Sequence, residues 1–118
     1  MVYVVDWLKK MINDFDYINE LLTIYKPLLT DKQADILEKY YRYNLSLSEI
    51  GEDLKISRSA VSYAIEHAKN KILSYEEKLH LNEHFKKTYS VLNDDSMTNE
   101  EKIKKLKEMQ YGIWSFTR

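Results

Sequence analysis

The sequence predicts an all-α fold: a helix-turn-helix bundle of five to six helices with a long C-terminal helical extension. Glycine occurs twice and proline once in 118 residues, against abundant Leu, Lys, Glu, Ile and Tyr, so little interrupts the helix formers. Apolar residues recur every three or four positions along most of the chain, the period of a helix face. Between Leu45 and Ile72, finally, two helix starts follow in quick succession.

That last stretch organises the rest. Ser46 with Glu49 makes a capping box, so a short helix begins there and runs through Leu54. Lys55 and Ile56 turn the chain. Ser57 is the next residue able to accept from the free N–H groups of a helix start, which places a longer helix from Arg58. Ile50, Leu54, Ile56, Val61 and Ile65 supply apolar contacts, and Gly51 and Ala64 are small where the helices must approach. One residue of such a turn takes a positive φ, a place that usually falls to glycine. Lys55 fills it here, at a cost of about 1 kcal/mol.

In chain order, Trp7, Leu8, Met11, Phe15, Ile18, Leu22 and Tyr25 trace one face of an amphipathic helix from Asp6, its expected cap, to about Tyr25, where Pro27 stops it. Thr30 with Gln33 forms a second capping box, Asp31 suits the positive end of the dipole, and Ile36, Leu37, Tyr40 and Tyr41 give the next helix its buried face as far as Tyr43 and Asn44. Tyr40, Tyr41 and Tyr43 would also serve as a stacking platform for bases; the first two fall on the apolar stripe, which favours the core. After Ile72, the residues Leu73, Tyr75, Leu79 and Leu81 continue the apolar pattern. A long helix or helix pair over 58–92 is expected, with a break or cap at Asn82 before Phe85, Tyr89 and Leu92. Asn93 to Met97 reads as a linker. Thr98 with Glu101 opens a last helix with Ile103, Leu106 and Met109 on one face and Lys102, Lys104, Lys105 and Lys107 around the rest, followed by the tail Gly112 to Arg118 with Ile113, Trp114 and Phe116. The expected organisation is a helical domain over 1–93 that contains the motif at 46–72, then a linker, basic helix and aromatic tail over 94–118.

Composition narrows the function. The absence of cysteine excludes disulfides and thiolate zinc sites. The apolar run Val2 to Val5 is cut by Asp6 and lacks signal-peptide architecture, and no later run approaches a spanning length, so a cytoplasmic protein without membrane insertion is expected. Gly51 and Gly112 form no phosphate-binding loop, and no nucleophile elbow is present. His80 and His84 stand four apart with Glu77 and Glu83 nearby, yet neither an HExxH sequence nor a further ligand cluster accompanies them. The expectation is a non-enzyme without cofactor or metal.

A nucleic-acid role rests on the second motif helix, whose outward positions are Arg58, Ser59, Ser62, Tyr63, Glu66, His67, Lys69 and Asn70. Arg58, Ser59, Ser62 and Tyr63 would face base edges in a major groove, with His67 further along and Lys69 near phosphate. A solvated helix face is the competing reading. The formal net charge is −1, and Lys55, Arg58, Lys69 and Lys71 are matched by Glu49, Glu52, Asp53 and Glu66, so the phosphate footprint is weak.

Three runs, PLLTDKQADILEKYY (27–41), LSLSEIGEDLKISRSAVSYAI (45–65) and YEEKLHL (75–81), resemble the YlxM-like proteins, small bacterial helix-turn-helix proteins encoded beside Ffh, the signal recognition particle GTPase. The likeness covers Leu21 to Leu81. From Leu29 to about Ile72 the chain is also similar to region 4 of bacterial sigma factors. The YlxM resemblance implies an accessory or regulatory role around the signal recognition particle, with Ffh or its RNA as partner. The sigma-like part implies a sequence-specific DNA regulator. Helix 1 and the extension past Ile72 carry more apolar residues than a monomer of this size needs, so a homodimer is expected.

Overall fold

The structure, a computed structural model, describes the backbone of residues 2–117 and the side chains of residues 14–110. Among the described residues the regular elements are all helical: α1 (Val2–Tyr25), α2 (Asp31–Leu37), α3 (Leu47–Leu54), α4 (Arg58–Leu79), α5 (Leu81–Leu92) and α6 (Asn99–Thr117). Among the described residues no helix is long and apolar enough to cross a membrane. The chain divides into two compact units, 1–74 and 75–118.

The first unit is built on α1, where Ile18, Leu21, Leu22 and Tyr25 fall on one face and are buried. Ala34, Ile36 and Leu37 of α2, Ile50 of α3 and Val61, Ile65, Ala68 and Ile72 of α4 complete the core. α1 begins at Val2, so Asp6 lies inside the helix and does not open it; no glycine or proline separates the two positions. The side chains of Trp7, Leu8 and Met11, which the periodicity assigns to the buried stripe, lie outside those described. After Tyr25 a single 3-10 turn, Lys26–Leu28, carries Pro27.

Both capping boxes of this unit form in full. The Thr30 hydroxyl accepts from the Gln33 N–H at 3.2 Å while the Gln33 side chain accepts from the Thr30 N–H at 3.1 Å. Ser46 and Glu49 exchange the same pair at 3.1 and 3.2 Å.

The helix that starts at Asp31 does not stay α-helical. From Glu38 to Arg42 it widens into a π turn, closed by the Tyr43 N–H donating to the Glu38 carbonyl at 3.0 Å, and Asn44 ends it at φ 55°. Side chains of α1 fasten this turn: Asn19 Nδ2 donates to the Tyr41 carbonyl at 2.9 Å, and the Thr23 hydroxyl accepts from Arg42 at 2.6 Å. The consequence for packing is that Tyr40 and Tyr41, adjacent in sequence, both reach Phe15, with ring centroids 5.6 and 4.9 Å away. Tyr41 is buried and Tyr40 half-buried, as their place on the apolar stripe requires, whereas Tyr43 is exposed.

In the second unit the break after α4 falls at His80, at φ 55°, and not at Asn82, which is buried in the first turn of α5. The pair of helices expected over 58–92 is therefore α4 and α5. Glu76 reaches past the break, its carboxylate accepting from the Asn82 N–H at 3.0 Å and the Glu83 N–H at 3.2 Å. The α5–α6 connection is held by Asp94, which accepts from Ser96, by the Thr98 hydroxyl, which accepts from the Glu101 N–H at 3.2 Å, and by Lys102, which donates to the Leu92 carbonyl at 3.0 Å. α6 continues through Gly112 to Thr117, so the segment read as a separate tail is helical backbone; the side chains of Ile113, Trp114 and Phe116 lie outside those described.

Candidate nucleic-acid interface

The motif assembles around Gly51. A Cβ at that position would stand 2.8 Å from the Ile56 carbonyl oxygen and 3.6 Å from Val61, so only glycine lets α3 close onto the turn and the start of α4. The turn itself is a left-handed helix stop. Lys55 sits at φ 58°, ψ 44°, and its N–H and that of Ile56 both donate to the Gly51 carbonyl. Ser57 then caps α4, its hydroxyl accepting from the Ala60 N–H at 3.1 Å. Ile50, Val61 and Ile65 are buried as the spacing demands, but Leu54 and Ile56 are respectively 36% and 42% exposed: they flank the turn without entering the core.

These constraints leave one flank of α4 outside. Arg58, Ser59, Ser62, Tyr63, Glu66, His67 and Asn70 are exposed, and Lys69 is partly covered. The outward residues form two ridges with the i, i+4 step of a helix. Along one, Ser59, Tyr63 and His67 follow each other; Tyr63 is 74% exposed and its ring lies parallel to that of His67, centroids 6.2 Å apart. Tyr63 and His67 border a cavity of about 370 Å³ against α2, floored by Ile36, Leu54 and Ile56. Along the other ridge stand Arg58, Ser62 and Glu66. Ser62, Glu66 and Lys69 border a second cavity, of about 470 Å³, against α1 and the π turn.

The electrostatics are those of a moderated surface. Lys69, the residue expected near phosphate, bonds Glu66 at 3.3 Å in an exposed pair one turn along the helix. Lys71 donates to Gln33 at 3.2 Å and docks α4 on α2. Lys39 bridges Asp35 at 2.6 Å and Asp53 at 3.1 Å; those bonds, Asp35 first, hold its ammonium above the ordinary lysine range. Arg58, in the first turn of the helix, has no ion-pair partner among the described residues. Among the described residues no three His, Asp or Glu side chains converge as a metal site; His80 instead meets Glu83 at 3.2 Å.

The family described as "Putative helix-turn-helix protein, YlxM / p13 like" matches residues 12–110 of this chain, a span that holds every element of the motif. The chain belongs to this family, UPF0122. A UPF0122 protein of Mycoplasma capricolum is 39% identical over 100 residues, covering 82% of this chain and 86% of its own. The UPF0122 protein YofM of Lactococcus lactis is 40% identical over 96 residues, 79% of this chain and 86% of its own. A UPF0122 protein of Oceanobacillus iheyensis is 36% identical over 104 residues, 84% of this chain and 99% of its own. The resemblance carried by the three sequence runs thus identifies the family correctly, and its reach extends past Leu81 into α6.

Sequence reasoning missed two features of the site. The π turn has no local signature, since Glu-Lys-Tyr-Tyr-Arg is compatible with an ordinary α-helix. The exposure of Leu54 and Ile56 was hidden because apolar spacing reports which residues are apolar and not whether anything covers them.

Proposed function

We propose that this UPF0122 protein is a non-enzymatic accessory or regulatory protein of the signal recognition particle pathway, acting in the cytoplasm, and that the outer flank of α4 is where it meets Ffh or the particle's RNA. The observation that carries this reading is the exposed stripe Arg58, Ser59, Ser62, Tyr63 and His67, presented by a capped helix and tempered by Glu66. Tight duplex binding needs many lysine and arginine contacts to phosphate, and Lys69 and Lys71 are already engaged. An exposed tyrosine beside a histidine suits a folded RNA with unpaired bases, or a protein surface, better than a regular double helix. The pathway itself is supported by the YlxM resemblance. Capture on tagged full-length protein from native lysate, with RNA and protein both identified, tests it: recovery of Ffh or its RNA is expected, and absence of both overturns the assignment.

One observation favours a second reading. The Gly51 approach, the left-handed Lys55 and the outward α4 make a complete helix-turn-helix, which as a homodimer would place two such helices on paired half-sites of DNA. A nanomolar operator complex that weakens on Arg58→Ala, formed by a protein that light scattering finds dimeric, would establish it in place of the first.

A further inference from the structure

The geometry points to a site for an organic cation, an ammonium or guanidinium group on an apolar stem, in the groove between α1, the π turn and α4. This inference goes beyond the α4 surface reading and does not depend on it. The groove encloses about 470 Å³, within the range of pockets that take small ligands. Phe15 and Tyr17 of α1 and Tyr40 and Tyr41 of the π turn contribute four aromatic rings to its lining, and Asp14 and Glu66 contribute carboxylates. The π turn is what makes this possible. By setting Tyr40 and Tyr41 edge to face, centroids 4.9 Å apart, and both against Phe15, it gathers three rings on one wall.

Aromatic faces and carboxylates share one preference, for positive charge on a greasy stem. The Tyr41 hydroxyl on this wall is pushed up to about 12, first by burial and then by Tyr40, Glu66 and Asp14. Lys69 also lines the groove, but its ammonium pairs with Glu66, so among the described residues Asp14 is the carboxylate of the lining with no ion pair. With Lys69 offset by Glu66, Asp14 leaves the lining with a net negative charge, which disfavours a phosphate or carboxylate ligand. The cation has two possible sources, a free polyamine or the arginine or lysine side chain of a protein partner.

Proton NMR of the Phe15 and Tyr40 rings in the full chain tests the site with three probes: spermidine, a short capped arginine peptide and uncharged octanediol. One or both cations shift these rings, with the diol at least about tenfold weaker, and Asp14→Asn and Tyr40→Leu each weaken cation binding by about five- to tenfold. A response to spermidine alone assigns the site to free polyamines, and a response to the peptide alone to a basic side chain. If neither cation shifts the rings at millimolar concentration, if the diol binds as well, or if Asp14→Asn binds unchanged, the inference is overturned. Asp14 is exposed, so its variant keeps the test valid where Tyr40→Leu fails to fold.

Discussion

Glu76 caps the helix that follows its own: one carboxylate oxygen accepts from the N–H of Asn82 and the other from that of Glu83, at 3.0 and 3.2 Å. His80 is held left-handed between them, and the buried Glu76 side chain supplies at the start of α5 what a local serine or threonine supplies at α2, α3 and α4. Glu76→Ala should destabilise the start of α5 by about 1–2 kcal/mol. Glu76→Gln keeps one acceptor and should cost roughly half as much. Faster hydrogen exchange at the Asn82 and Glu83 amides is the expected readout. Unchanged exchange in Glu76→Ala would show that the cap contributes nothing.

Lys55 occupies left-handed backbone that glycine enters without strain. Lys55→Gly should therefore stabilise the protein, by about 0.5–1 kcal/mol after the added freedom of the unfolded chain is set against the relieved strain. The urea midpoint should rise with the slope of the transition unchanged. A lowered midpoint would mean that the lysine side chain contributes more than its backbone costs.

Gly51→Ala goes the other way. The added methyl meets a backbone oxygen at 2.8 Å, which no rotamer change relieves. Alanine gains about 1 kcal/mol in helix propensity, and the forced separation of α3 from the turn costs about 2–3 kcal/mol, for a net loss of about 1–2 kcal/mol. Calorimetry should show a lower Tm; an equal or higher one would mean that α3 and the turn do not close as tightly as described.

Tyr41 gives the fold an alkaline limit. Its hydroxyl is pushed up to about 12 from the ordinary 10, chiefly by burial, so between those values the folded chain holds a proton that the unfolded chain has released. Stability is thus unaffected by this group below pH 10 and falls as pH rises toward 12. Urea midpoints at pH 9, 10 and 11 should decline in the native protein and decline less in Tyr41→Phe; parallel curves would contradict the placement of this ring.

The parts of the fold legible in the sequence are those decided locally. Thr30, Ser46, Ser57 and Thr98 each announce a helix start because a short polar side chain followed by a helical run satisfies the same free N–H groups wherever it occurs. The left-handed place of Lys55 was legible for the same reason. The illegible parts depend on distant partners. His80 turns left-handed without being glycine or asparagine, with Glu76 capping the helix beyond it, and the π turn is fastened by Asn19 and Thr23 from α1. At the candidate site, periodicity placed Arg58, Ser59, Ser62, Tyr63 and His67 outward. It could not tell that Tyr63 and His67 would border one cavity and Ser62 and Lys69 another, because α1 and α2 build those walls.

Fluorescence anisotropy at physiological salt probes the proposed role of the outer α4 flank as the contact surface of a signal recognition particle accessory protein. Labelled signal recognition particle RNA, Ffh and a duplex DNA pool would each be titrated with native protein and with an Arg58→Ala, Tyr63→Ala double variant. Micromolar or tighter binding to the RNA or to Ffh is expected, weakened at least about tenfold in the double variant, with only feeble duplex binding. Binding to neither, or binding that the double variant retains in full, would contradict it.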